Sequence, residues 1–256
     1  ISAGEKLMAE DARFTIIHAS FAELAQVLTE RDLVGKVDGI MADLGVSSPQ
    51  LDDASRGFSF MNDGPLDMRM NPNQGVSAAD WLVTVSEEDL ANALFQYGEE
   101  KFSRRIARAI KREVAIAPIT STKKLSDIVA EAHPSWERHK NPATRSFQAI
   151  RIAVNQELDD IKTFLPQALT ALKPNGKLAV ISFHSLEDRI VKQFIAQQAR
   201  GDKFPARMPV TQAQLKPKLR AIGKAIKPSA QEIATNVRAR SAVLRVAEKL
   251  PEAANG

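Results

Sequence analysis

Two short apolar runs, "VDGIMADLG" at residues 37–45 and "KLAVISF" at 177–183, do most to limit what this chain can fold into. Both are nearly continuous in aliphatic residues, and both end in polar ones. An apolar run of that length reads as a strand buried on two faces, the habit of a parallel sheet covered by helices. Further strands are expected at 13–19 ("RFTIIHA") and 241–248 ("SAVLRVAE"), with a helix at 21–33 and another after "FHS" at 183–185. Strand, helix, strand with polar residues at the strand ends is the doubly wound α/β pattern. Its ligands sit in the crevice at the carboxyl ends of the strands.

The first run continues into "DLGVSSPQLDDASRGFSFMNDGPLDMRM", the 28 residues from Asp43 to Met70. A connection that only turns the chain needs about 2 to 6 residues, and much longer ones are usually functional or disordered. Asp43 reads in two ways, as a cap on the turn or as a ligand group at the mouth of the crevice. Its strand-end position, followed by Gly45 and the Ser-Ser-Pro-Gln turn, favours the second.

Helical signals without strands follow over roughly 77–133, and they read as an inserted helical block. Ser86 with Asp89 forms a capping box, and Thr122 can cap "KKLSDIVAEA". A long helix is then expected from Asn141 as N-cap with Pro142 in its first turn. Phe147, Ile150, Val154, Leu158, Ile161 and Leu165 mark its buried face, Pro166 should kink or break it, and Asn175-Gly176 should stop it. The expected division is 1–57 for the first part of the α/β core, 58–140 for the helical block, and 141–256 for the second part of the core.

Composition matters here mainly for what it excludes. The hydrophobic fraction of 44% and charged fraction of 26% are ordinary for a globular protein, and no apolar run approaches the ~18 residues of a membrane span. Zero cysteines remove disulfides, thiolate catalysis and Cys-ligated zinc, and fit a reducing compartment such as the cytoplasm. The net charge of +4 is unevenly spread. Residues 200–245 hold eleven Lys or Arg against Asp202 and Glu232, a local +9 that leaves −5 for the rest. In "EEKFSRRIARAIKREVAIA", Phe102, Ile106, Ile110 and Val114 form an apolar face, and Lys101, Arg104, Arg108 and Lys111 a basic one. Such a stripe either tracks the phosphates of a nucleic acid or is simply solvated; two basic regions in one chain support a polyanionic partner.

The blocks "DLGVSSPQLDDASRGFSFMNDGPLDMRM", "NPATRSFQAIRIAVNQEL", "ISFHSLEDRIVKQF" and "NVRARSAVLRVAEK" closely resemble, in order, the signature blocks of the MraW-type methyltransferases. That resemblance implies a class I methyltransferase (Rossmann-like) sheet with an inserted all-helical second domain. It also implies S-adenosylmethionine as cofactor, and as partner 16S ribosomal RNA of the small subunit, methylated on the exocyclic N4 amine of one cytosine in the decoding region. Phe21, Asp43 and Gln50 are the implied cofactor contacts. "SSPQ" resembles the Ser-Pro-Pro type loop of amino-methyltransferases, so Asp43, Ser48 and Pro49, the last through its carbonyl, are the implied catalytic groups. Arg104, Arg108, Lys111, Arg145 and His184 are the candidate RNA contacts.

One departure from the family pattern stands out. Its first strand, Gly-rich loop and second strand have no counterpart here, so strands 1 and 2 of the fold are expected to be absent. The segments 13–19 and 37–45 should then stand unpaired across a gap two strands wide, about 14 to 15 Å. A non-catalytic RNA-binding scaffold is the alternative that this departure supports. A hydrolase using Asp43 or Ser47 lacks a G-x-S-x-G elbow.

Other groups have plainer readings. His184 and Glu187 have ligand spacing, but two groups make a poor metal cage, so no metal is expected; capping of the next helix by Ser185 with Asp188 accounts for the motif. Asp67 and Arg69 should pair and order their loop. Arg145 and Arg151 either reach phosphate or cover a helix face, and Trp81 and Trp136 read as core or subdomain contacts. The oligomeric state stays open, a homodimer included.

Overall fold

A computed structural model describes residues 1–134, 141–202 and 215–251. Trp136 and the basic stretch 203–214 lie outside the described residues. The chain divides into two compact units, residues 1–44 with 159–256, and residues 45–158.

The first unit begins with α1 (Ser2–Glu10), a 3-10 turn at Phe21–Glu23, α2 (Leu24–Thr29) and β1 (Val37–Asp43). The second holds α3 (Ser48–Asp52), a 3-10 turn at Ala54–Arg56, α4 (Ala78–Thr84), α5 (Glu87–Gly98), α6 (Ser103–Val114), α7 (Thr122–Ala132) and α8 (Ala143–Asn155). The first unit resumes at Asp159, within α9 (Glu157–Ala171), and continues with β2 (Leu172–Ser182), α10 (Ser185–Arg200), β3 (Leu219–Ala221), α11 (Ala230–Thr235) and β4 (Val243–Lys249).

The described strands form one mixed sheet in the order β1-β2-β4-β3. β1 runs parallel to β2, with Asp43 opposite Ile181, and β4 is antiparallel to both β2 and β3. Leu178, Val180 and Ala247 are buried at its centre.

Several expectations are corrected here. Residues 13–19 are extended but form no strand among the described residues, because no row of backbone partners lies beside them; Phe14 and Ile16 are half-buried and their alternation survives without a ladder. The segment is unpaired with 37–45, as expected, but as extended chain and not as a strand. β1 is an edge strand rather than a buried one, and Met41 in its middle is 73% exposed.

The long helix also ends differently. It breaks at Gln156, whose backbone is left-handed (φ 53°), while Pro166 lies inside α9. Asn175-Gly176 does not stop the helix, which ends at Ala171. The pair lies in an irregularity of β2, where the register jumps from Val37–Leu172 to Gly39–Lys177. A side chain on Gly176 would place Cβ 2.8 Å from the Lys173 carbonyl oxygen, so the bend requires glycine.

In the helical unit, amphipathic faces meet as their periodicity requires. Leu90 and Leu94 of α5, Ile106 and Ile110 of α6, Leu125 and Val129 of α7, and Phe147 and Ile150 of α8 share one core, against which Trp81 packs half-buried. Gly98 lets α5 approach α8 closely, since a Cβ there would lie 2.6 Å from the Arg145 carbonyl oxygen. That packing places residues 141–158 with the helical unit. Ser86 caps α5 as expected, accepting from Asp89 N, whereas α7 is capped by Ser121, one residue before the expected Thr122. Thr122 Oγ1 instead accepts from Gly64 N at 3.1 Å.

Candidate functional site

The carboxyl end of β1 and β2 carries the polar groups of the first unit. Asp43 is exposed at the end of β1, and no hydrogen-bond or ion-pair partner of its carboxylate is found among the described residues. At the end of β2, the Ser182 hydroxyl is buried and has no hydrogen-bond partner among the described residues. Two residues on, the His184 side chain is 12% exposed, and Nε2 lies 3.2 Å from Glu187 Oε1. Both ring nitrogens are buried, and apart from that Glu187 contact no partner for them is found among the described residues.

The turn into α10 is closed by Glu187, not by the expected Ser185 and Asp188. Glu187 Oε2 accepts from Phe183 N at 2.8 Å and from His184 N at 3.3 Å, so a carboxylate satisfies amides at a helix start. Asp188 accepts a bidentate pair from Arg245 of β4 at 2.6 and 2.9 Å, which ties α10 to the sheet.

Phe21 is 39% exposed and stands edge-on to Phe164 of α9, with ring centroids 5.4 Å apart. Its turn is held from below. Ser20 donates to Asp160 at 2.9 Å and accepts from Ala22 N, while Gln167 accepts from Ala25 N and donates to the Ala22 carbonyl. The Phe21 ring thus stays partly open to solvent on a fixed backbone.

In the helical unit, Gln50 folds back on its own helix start. Its Oε1 accepts from Ser47 N at 2.8 Å and from Ser47 Oγ at 3.1 Å. Ser48 and Pro49 are exposed in the first turn of α3, and the Pro49 carbonyl already accepts from Asp53 N at 3.0 Å. The loop that follows is clamped repeatedly. Arg56 donates to the carbonyls of Arg69 and Met70 at 2.9 and 3.0 Å. Asp67 and Arg69 form the expected bidentate pair, and it holds the Asp67 carboxyl below the usual carboxylate range.

Asn155, at the end of α8, accepts from Met70 N at 2.8 Å and donates to the Met68 carbonyl at 2.7 Å. Between these anchors Met68 is fully buried in a left-handed conformation (φ 61°), a costly backbone state for a residue with a side chain. Sequence reasoning passed over Arg56 and Asn155. The available signal was an Asn beside Val154 on a helix face otherwise read as apolar.

The basic candidates separate on inspection. Arg104 and Arg108 are exposed on α6, and Arg108 lies 3.6 Å from Glu87. Lys111 is committed elsewhere: its ammonium donates to the carbonyls of Leu82, Val83 and Val85 at 2.9, 3.1 and 2.7 Å, capping the end of α4. Arg145 is half-buried on α8, and Arg151 makes a bidentate pair with Glu157 at 2.7 and 2.9 Å instead of facing a phosphate.

Comparison with known proteins meets this arrangement at its full length. The model of the MraW methylase family matches residues 1–250. The chain is 58% identical over 252 residues to a protein of Marinomonas sp. (strain MWYL1) named ribosomal RNA small subunit methyltransferase H, covering 98% of this chain and 81% of that protein. It is 57% identical over 247 residues to the protein of the same name from Pseudoalteromonas atlantica (strain T6c / ATCC BAA-1087), covering 96% of this chain and 79% of that protein. With its strand-end carboxylate and clamped loop, the chain belongs to the MraW methylase family.

Proposed function

We propose that this protein transfers a methyl group from S-adenosylmethionine to the exocyclic N4 amine of a cytosine in 16S ribosomal RNA of the small subunit. The observation that carries this reading is the match, over nearly the whole chain, to relatives named for methylation of that RNA.

The residues present fit such a donor. Phe21 offers a partly open aromatic ring to the adenine, Asp43 an exposed carboxylate, and Gln50 an amide whose nitrogen remains available to donate. When bound, the donor supplies a methyl group activated by a positively charged sulfur. Cytosine's amine is a weak nucleophile because its lone pair is delocalised into the ring, so the nitrogen must pyramidalise to attack. Acceptors for its hydrogens favour that state, and Asp43 with the Ser48 hydroxyl and the Pro49 carbonyl are the proposed acceptors. Their work is positioning and electrostatics. The methylated amine, then cationic, loses its proton to water, so a strong general base is not needed.

The helical unit is the proposed substrate-recognition part, with Arg104, Arg108 and Arg145 as its RNA contacts. His184 lines the base pocket in this reading, since it is too buried to be an outer phosphate contact.

The test is transfer of labelled methyl groups to small-subunit RNA. Asp43→Ala should lower turnover by about 10²–10³-fold, the usual effect of removing a charge-stabilising group, with the melting profile unchanged. Phe21→Ala should weaken donor binding and leave the maximal rate intact. Unchanged turnover in Asp43→Ala would remove that residue from the site.

A further inference from the structure

We propose that the cleft between α10 and the β3–β4 hairpin takes one base of the single-stranded RNA that flanks the target cytosine, with lysines on its rim taking the neighbouring phosphates. This rests on the methyl-transfer reading above and names a second contact surface for the same substrate.

Topology turns the cleft toward the correct end of the sheet. β4 is antiparallel to both β2 and β3, so β3 runs in the same direction as β1 and β2. The chain that leaves β3 at Ala221 therefore runs toward the sheet end that carries Asp43; Ala221 itself stands level with Ile40, three residues short of it, and Ile226 reaches the level of Asp43 by its bridge to Leu244. Three strand spacings separate β1 from β3, roughly 14 Å. A single strand can span that distance from the reacting base.

Its shape suits one planar ring. The cleft holds about 160 Å³, well under the ~300–1,000 Å³ of a drug-sized pocket, and is too small for the side of a helix. Ile195, Ala196 and Ala199 of α10 form one wall, and Ile222 and Val246 stand across from them. Small aliphatic walls admit the flat face of a base, and Ile222 remains 39% exposed at the mouth. Nothing lies within 4 Å of where a side chain on Gly223 would be, so the turn is open to an approaching strand.

The charge is that of a surface for polyanions. Lys192 and Lys224 line the cleft, are exposed, and have no ion-pair partner among the described residues. The remaining cation of the lining, Arg245, is neutralised by Asp188. Around them, residues 215–251 carry nine Lys or Arg against Glu232 and Glu248, and Glu248 is itself held by Lys177 and Arg220. An apolar slot flanked by free lysines matches a nucleotide whose base is unpaired, because in a duplex that face is stacked away.

The experiment uses the full chain, small-subunit RNA as methyl acceptor, and a short single-stranded RNA of the target sequence for direct binding. The variants are Lys192→Glu/Lys224→Glu, which reverses the rim, and Ala196→Phe, which plugs the slot. The rim variant should raise KM for RNA about tenfold or more and flatten the plot of log affinity against log salt by about 1.4, at ~0.7 per phosphate contact on a single strand. The plug should raise KM at least about threefold, the effect of keeping roughly 30 Å² of apolar surface out of the aliphatic slot, without changing that slope. Donor affinity and the rate at saturating RNA should stay within about twofold in both. Unchanged KM and slope in the rim variant overturn the proposal, as does full RNA affinity in a folded plug variant. A contact with ribosomal protein instead of RNA would leave binding of the short strand unaltered, and so also overturns it. If the unmodified protein methylates no RNA, the methyl-transfer reading fails, while the binding arm still decides the cleft.

Discussion

Removing the Asn155 side chain should loosen the loop that it pins. Asn155→Ala takes an acceptor from Met70 N and a donor from the Met68 carbonyl, at 2.8 and 2.7 Å. Each buried backbone group left without a partner costs about 1–3 kcal/mol. Water can reach half-buried Met70 but not fully buried Met68, so the expected loss is about 2–3 kcal/mol in the helical unit. Urea denaturation followed by tryptophan fluorescence reads the effect, since Trp81 packs on the core of that unit. Asn155→Asp keeps the acceptor but turns the donor into a repelling oxygen, and should cost at least as much at neutral pH. A loss under about 0.5 kcal/mol in Asn155→Ala would refute the clamp, because a satisfied and an abandoned pair of buried groups cannot be so close in energy.

Lys111→Met should cost about 1–3 kcal/mol of stability by uncapping α4, yet leave the salt dependence of RNA binding unchanged. Arg104→Glu/Arg108→Glu should do the reverse, flattening that dependence with little effect on the melting temperature. Asp67→Asn should destabilise the loop at pH 7. Its pairing with Arg69 depresses the folded carboxyl below its ordinary value of 3.8, so the stabilisation is complete above that value and lost as pH falls through the lower folded one. Melting curves of the variant and the unmodified protein should therefore begin to approach each other only below pH 3.8, and meet below the depressed folded value.

What could be read from the sequence depended on how local its cause was. Ser86 capping α5, the Asp67–Arg69 pair and the apolar faces of α5 to α8 follow from residues within a few positions of one another, and the structure contains them. Asp43 at a strand end was equally legible, because a run of aliphatic residues and its polar terminus share one short stretch. Failures came where distant partners decide. Residues 13–19 have strand composition, but a strand exists only beside another, and nothing in their own sequence says that no neighbour will be there. Pro166 was expected to kink or break a helix that is interrupted at Gln156 instead, where the left-handed backbone has no glycine or asparagine to announce it. Lys111 looked like part of a phosphate stripe until its partners, 26 to 29 positions away, came into view.

The place of β4 between β2 and β3 also governs the order in which the molecule can be completed. Residues 45–158 form a contiguous stretch and can collapse as soon as Leu158 is clear of the translating ribosome. The other unit must wait, because β3 has no partner until the segment from Val243 emerges and slides in beside it. Counted from the emergence of Ser182 at the end of β2 to that of Val243, at ~5–20 residues per second, that wait lasts roughly 3 to 12 s. During it the nascent chain presents the long unfinished edge of β2, a surface that invites pairing with another polypeptide. A newborn copy is therefore most exposed to aggregation, and most in need of a chaperone, in the interval before its final strand arrives.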